Sequence, residues 1–336
     1  MKRLDRFLVR AVASLVVLAL LVLAVRAVNG WRFDDGDAPD PTDLATYDLE
    51  HDGLDIEHVT GDYLAGFHLL PTDGPAAAGV VVTFGGSDGG PAYAQAVRIA
   101  QQGYEVYSLF FFGQENQQPA LDRVPLEFFE EATDRIEQTA RSAGPLTVSG
   151  TSKGAELALL LAEHYEQIDN VVLFAPTMHV NQSLVVGRES HSSWTLAGEE
   201  VPFLSFRSAS AGDLVHQLSA AAFNYPVTYR STYESIIENS PAADEDAARL
   251  DPSAVDGGLL VFAGGDDRMW PADTAAHEIG ELVPEAEVHV YPDAGHVFSA
   301  GEVVGGLRNG GTVEANEQAE QDSEERLAER LTEWHR

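Results

Sequence analysis

A serine flanked by glycines is the first feature of this chain with chemical potential. In "LTVSGTSKGAELALLLAEHY", Leu146 to Tyr165, the run Gly150-Thr151-Ser152-Lys153-Gly154 has G-x-S-x-G spacing. In that arrangement a strand turns sharply into a helix and lifts a serine hydroxyl above a sheet edge. Gly85-Gly86-Ser87-Asp88-Gly89 has the same spacing, so the pattern alone does not choose between two serines. Context does. The "AELALLLA" that follows Ser152 is the apolar helix that a central sheet element requires, whereas Ser87 precedes a loose loop with Pro91 and a helix bearing Gln95, Arg98 and Gln101. Ser152 is therefore read as the nucleophile. The Ser87 loop suits another task, offering the backbone N–H of Gly86 or of Ser87 to an oxyanion hole, opposite the N–H of Lys153.

A serine hydroxyl at its ordinary pKa is a poor nucleophile and needs a positioned base and an orienting carboxylate. In the α/β-hydrolase arrangement these follow the serine in the order acid then histidine, each at the carboxyl end of a later strand. "LLVFAGGDDRMWP" and "VHVYPDAGHVF" read as such strand ends and present Asp266 or Asp267, then His296. The other histidines fit the role less well. His51, His58 and His68 precede the parallel strands, His164 and His277 fall in helical patterns, His289 falls inside a strand, and His335 lies at the terminus. His179, His191 and His216 lie in an aperiodic stretch as polar residues. No H-E-x-x-H or similar ligand spacing occurs, and "GGSDGG" lacks the Gly-Lys-Ser/Thr of a phosphate loop, so no metal and no cofactor is expected.

These residues need a scaffold, and the apolar runs "GVVVTFGG", "YEVYSLFFFG", "LTVSG", "NVVLFAP", "GLLVFAGG" and "EVHVYPDAG" read as its buried strands. Helical patterns over 91–102, 125–143 and 272–282 alternate with them, which predicts an α/β fold: a mostly parallel central sheet covered by helices on both faces. "LDIEHV" and "YLAGFHLL", separated by Gly61-Asp62, predict an antiparallel hairpin before it. Residues 177–250 have weak periodicity and are too long for a connection, which predicts a lid insertion. Leu327, Leu331 and Trp334 predict a final amphipathic helix.

The N-terminal residues differ in kind. Lys2, Arg3, Arg6 and Arg10 precede the apolar run Ala11 to Val25, which Arg26 closes, and an acidic stretch follows. The run is short for a spanning helix, but Phe7 to Val9 extend it and flanking arginines can snorkel. Residues 1–30 are expected to form a single-pass membrane anchor, 31–46 an acidic linker, and 47–336 the α/β domain. Positive charge ahead of the run places the N-terminus in the cytoplasm and the domain outside it. The alternative is a signal peptide cleaved near Val25-Arg26-Ala27, giving a secreted protein.

Composition excludes more than it selects. With 54 acidic and 20 basic residues among 336, the formal charge is −34, which opposes binding to nucleic acid. Acidic excess with only two lysines, Lys2 and Lys153, is the surface bias of a protein kept soluble in concentrated salt, so a halophilic source is expected. Zero cysteine excludes disulfides, thiolate metal sites and a cysteine nucleophile. Against that bias Lys153 stands out; its side chain is expected to reach Glu156 at i+3 as an ion pair.

"GTSKGAELAL", "GGDDRMWP", "YPDAGH" and "SSWTLAGEEVPFLSF" together resemble the catalytic C-terminal domain shared by acyl-CoA thioesterases and bile acid-CoA:amino acid N-acyltransferases, over roughly Gly79 to Ser299. The resemblance implies an α/β-hydrolase fold and a Ser152, Asp267, His296 triad, the spacing through Trp270 to Pro271 selecting the second aspartate. Family members with a serine nucleophile are hydrolases and the amino-acid-transferring members use cysteine, so Ser152 implies hydrolysis of a small-molecule acyl ester or thioester. Two features depart from the family. The stretch between residue 30 and Gly79 leaves no room for its N-terminal β-sandwich domain, and the expected topology puts the site where coenzyme A thioesters are scarce. A general carboxylesterase or lipase-like activity, or an inactive hydrolase fold serving as a binding module at the membrane, are the competing expectations.

Overall fold

The computed structural model describes residues 2–34, 36, 39–185, 187 and 189–336. Eight strands pair into one sheet whose central members are apolar runs buried on both faces, while the edge strand Leu54–Thr60 alternates buried and exposed side chains. The strands are β1 (Leu54–Thr60), β2 (Ala65–Pro71), β3 (Val80–Phe84), β4 (Glu105–Phe110), β5 (Leu146–Thr151), β6 (Asn170–Phe174), β7 (Leu259–Gly264) and β8 (Glu287–Tyr291). They lie in the order β1-β2-β4-β3-β5-β6-β7-β8. β1 and β2 form the expected antiparallel hairpin, β2 runs antiparallel to β4, and all later pairings are parallel.

Nine helices are described. They are α1 (Lys2–Arg32), α2 (Tyr93–Gln101), α3 (Phe128–Thr139), α4 (Lys153–His164), α5 (Ala211–Phe223), α6 (Arg230–Asn239), α7 (Ala242–Ala247), α8 (Ala272–Leu282) and α9 (Val313–Trp334). One side of the sheet, with Val80, Val82, Val148 and Val261, packs against α3, α4 and α8. Val81, Val172, Leu260 and Phe262 on the other side meet α2 and α9. This order and two-faced helix cover make the chain an α/β-hydrolase fold. Its strand order reverses where β3 lies between β4 and β5, and open α/β sheets bind ligands at such a point.

Several boundaries differ from the sequence expectation. α2 starts at Tyr93 rather than at residue 91. α3 is shorter at both ends: it starts at Phe128 because Val124–Pro125 joins a small ribbon with Trp194–Leu196 and Glu199–Glu200, and it ends at Thr139, where Ala140 turns extended. The final helix reaches back to Val313, where Thr312 caps it by accepting from the Ala315 N–H. Residues 177–250 are not aperiodic in space: they hold α5, α6 and α7. The acidic segment after α1 is partly docked, with the Tyr47 hydroxyl donating to the Pro41 carbonyl (2.5 Å) and Gln114 Nε2 to the Thr42 carbonyl (2.8 Å).

Candidate active site

Ser152 joins β5 to α4 as the helix's N-cap residue, with φ 57° and ψ −117°. A non-glycine residue resists that region of backbone space, at a cost of order 1–3 kcal/mol, and it persists only where the surroundings enforce it. Here the Ser152 N–H donates to the Phe174 carbonyl (2.8 Å), and the Ser152 carbonyl accepts from the N–H groups of Ala155 (2.9 Å) and Glu156 (3.1 Å). The glycines on either side are needed for close approach. A Cβ on Gly150 would lie 2.0 Å from the Gly154 carbonyl oxygen, and one on Gly154 would lie 2.1 Å from that of Gly85. The turn therefore projects the Ser152 hydroxyl from the end of the sheet, half-buried.

Loops after β7 and β8 bring two further groups to that hydroxyl. His296 Nε2 lies 2.8 Å from Ser152 Oγ, and His296 Nδ1 lies 2.7 Å from Asp267 Oδ2. His296 and Asp267 are buried. The other Asp267 oxygen accepts from the N–H groups of Met269 (2.7 Å) and Trp270 (3.1 Å), which fixes the carboxylate plane. A carboxylate on Nδ1 makes that nitrogen the protonated one and leaves Nε2 free to accept the serine proton. Asp266 turns elsewhere: its Oδ2 accepts from the Gly311 N–H (3.0 Å) and its Oδ1 pairs with Arg268. Ser87 is exposed in the loop after β3, while both ring nitrogens of His296 are taken by Asp267 and Ser152.

The loop of Gly86 runs beside the elbow. A Cβ built on Gly86 would be 3.5 Å from the Ser152 Cβ. Among the described residues the N–H groups of Gly86 and Lys153 donate no hydrogen bond. The Lys153 side chain is buried and forms the expected pair, with Nζ 2.9 Å from each Glu156 oxygen. It also donates to Ser193 Oγ (2.9 Å) and to the Asn181 carbonyl (3.2 Å). Glu156 in turn accepts from Trp194 Nε1 (2.7 Å), Asn181 Nδ2 (3.1 Å) and the Asn181 N–H (3.2 Å). Burial draws the Lys153 ammonium below its usual pKa, and the Glu156 carboxylate opposes that shift.

Several supporting residues carry no local sequence signal. Asn309 accepts the His296 N–H through its carbonyl (3.0 Å) and the Val297 N–H through its side chain (2.8 Å). The Trp270 ring stands edge-on to His296 at 5.6 Å, and Tyr233 from α6 stands edge-on to Trp270 at 5.7 Å. Arg230, also on α6, donates to the Asp267 carbonyl (3.3 Å). Asn181, Asn309 and Arg230 fall in stretches without helical or strand period, where spacing cannot announce a partner.

A family model described as "BAAT / Acyl-CoA thioester hydrolase C terminal" matches residues 124–300. Human acyl-coenzyme A thioesterase 1 is 24% identical over 279 residues, covering 78% of this chain and 60% of that protein. Mouse acyl-coenzyme A amino acid N-acyltransferase 1 is 30% identical over 252 residues, covering 73% of this chain and 54% of that protein. The chain thus spans about half the length of the curated relatives it matches. A crystal structure of a hypothetical protein from Pseudomonas aeruginosa is similar in fold, with a TM-score of 0.51 at 13% identity, covering 86% of this chain and 96% of that one.

Proposed function

Because the chain belongs to the BAAT / acyl-CoA thioester hydrolase C-terminal family, we propose that it hydrolyses acyl thioesters or carboxylic esters through an acyl-enzyme on Ser152. The observation that carries this reading is the continuous line from Ser152 Oγ through His296 to Asp267, at 2.8 and 2.7 Å. His296 Nε2 takes the hydroxyl proton as Oγ attacks the acyl carbon, and Asp267 stabilises the imidazolium that forms. The developing oxyanion lies against the N–H groups of Lys153 and Gly86. The carbon–sulfur or carbon–oxygen bond then breaks, and the leaving thiolate or alkoxide takes the proton from His296. Water enters, gives its proton to His296, attacks the acyl-serine, and releases the carboxylic acid with Ser152 restored.

α1 serves as a single-pass anchor, residues 31–46 link it to the domain at 47–336, and the basic residues ahead of the apolar run keep the N-terminus cytoplasmic. The helix from Leu8 to Arg32 is long and apolar enough to cross a bilayer. A site outside the cytoplasm favours the second reading, an esterase without preference for thioesters. A panel on the full chain in detergent micelles separates them: palmitoyl-CoA against the p-nitrophenyl ester of the same acid, with Ser152→Ala as control. Faster thioester cleavage, lost by at least about 10⁴-fold in Ser152→Ala, is the expected result. Faster ester cleavage selects the second reading. Turnover of neither by the folded chain rejects both and leaves a binding module.

A further inference from the structure

α5 is an amphipathic helix turned inside out. Its polar side chains face the protein: Asp213 is buried and accepts from Ser210 Oγ and Ser235 Oγ, Gln217 Nε2 donates to Thr232 Oγ1 (2.9 Å), and His216 Nε2 pairs with Thr228 Oγ1 (2.9 Å). Its large apolar side chains face outward, with Leu214 57%, Val215 66% and Leu218 62% exposed. These positions, with Ala211 and Ala222, repeat at helical spacing and form one stripe. From Ser208 to Tyr229, Asp213 is the only Asp, Glu, Lys or Arg, although the chain carries a charge of −34.

The C-terminal end of α5 is fastened to α1. Arg26 Nη1 donates to the carbonyls of Ala221 (2.6 Å) and Ala222 (2.8 Å), and Asn29 Nδ2 donates to that of Phe223 (2.8 Å). Leu8 to Val25 spans about 27 Å at ~1.5 Å per residue, close to the ~30 Å of a bilayer's hydrocarbon core. Arg26 and Asn29 therefore fall at the headgroup level, and the apolar stripe of α5 continues the apolar surface of α1 there. The uncharged stripe is also the part of a highly acidic surface that an anionic bilayer repels least.

We propose that α5 lies on the bilayer surface beside α1, its stripe inserted among the lipids, and that the site takes membrane-partitioned acyl amphiphiles. The inference rests on the anchor and hydrolase readings. α5 is bonded to α6 through Gln217–Thr232 and Ser235–Asp213, and α6 carries Tyr233 and Arg230, which reach Trp270 and Asp267, so one helix separates the surface stripe from the triad's surroundings.

The chain has no cysteine, so single-cysteine variants label cleanly. Leu218→Cys, Leu18→Cys in α1 and Leu282→Cys on α8 would carry an environment-sensitive fluorophore, in full-length protein reconstituted into phosphatidylcholine/phosphatidylglycerol vesicles with brominated acyl chains. The expected result is quenching at positions 218 and 18, shielding of both from aqueous iodide, and iodide access at 282. Lipid contact at 18 with full iodide access at 218 overturns the surface-helix inference and leaves the anchor intact. No lipid contact at 18 overturns the anchor and the inference with it. Shielding at 218 without lipid quenching assigns the stripe to a second copy of the chain and also overturns it. In activity, Leu214→Glu/Leu218→Glu should slow cleavage of a vesicle-borne palmitoyl ester several-fold and spare water-soluble p-nitrophenyl acetate. Equal loss on both substrates contradicts a surface role.

Discussion

Lys153 illustrates how a single side chain can be tied to its surroundings. Its ammonium and the Glu156 carboxylate are both buried, and each is saturated by partners from residues 181–194. The pair fastens the first turn of α4, next to Ser152, to the segment that follows β6. Removing one member leaves an uncompensated buried charge, which costs about 3–5 kcal/mol. Lys153→Met and Glu156→Gln should each lose stability on that scale in urea unfolding, while the Lys153→Met/Glu156→Gln double variant loses much less than the sum. Additive losses would contradict a coupled pair. Lys153→Arg should not substitute, because a planar guanidinium cannot occupy the space of a compact ammonium with the same four acceptors.

At the scale of elements, α9 closes the second face of the sheet and is fixed at its end by His335. That imidazole is buried, with Nδ1 donating to the Ala78 carbonyl (2.5 Å) and Nε2 2.8 Å from Thr147 Oγ1. Burial pushes its pKa below the ordinary 6.5, and the Ala78 contact only partly opposes this. The unfolded chain therefore takes up the proton first as pH falls, so the stability from this group is present above the unfolded value and lost as pH drops through the folded one. His179 is lowered for the same reason and acts with the same sign. Between about pH 7.5 and about pH 5, wild type should lose more thermal stability than His335→Gln; parallel curves would contradict the assignment. Protonation of carboxylates relieves the repulsion of a −34 chain and acts in the opposite sense, so the difference between the two proteins is the informative quantity. Strands β3 to β8 are legible in the sequence because each is an apolar run closed by turn residues, and β1 and β2 because Gly61-Asp62 separates two short strand patterns. The orientation of α5 is not: Leu214, Val215 and Leu218 recur at helical spacing, but spacing marks a stripe without saying whether it faces the core or the outside, and here it faces outward.

For the whole molecule, the account depends on distant segments converging. Ser152 and His296 are 144 positions apart, and Asp267 and His296 are 29 apart. Local signals mark Ser152 and His296: a G-x-S-x-G turn and a strand end. The choice of Asp267 over Asp266 is a tertiary fact, decided by which carboxylate the β7 loop turns inward, and the sequence alone leaves both open until a family resemblance is invoked. The Asn181, Ser193 and Trp194 contacts to the elbow are likewise set by how the insertion folds back, which no spacing encodes. The central claim is that this convergence makes the Ser152 hydroxyl a nucleophile. Reaction of the full chain with a fluorophosphonate, followed by peptide mass mapping, tests it most directly. The account predicts one adduct, on Ser152, absent in Ser152→Ala, retained in Ser87→Ala, and formed about 10²–10⁴-fold more slowly in His296→Ala. An adduct on Ser87, or a folded chain that takes up no probe, would contradict it.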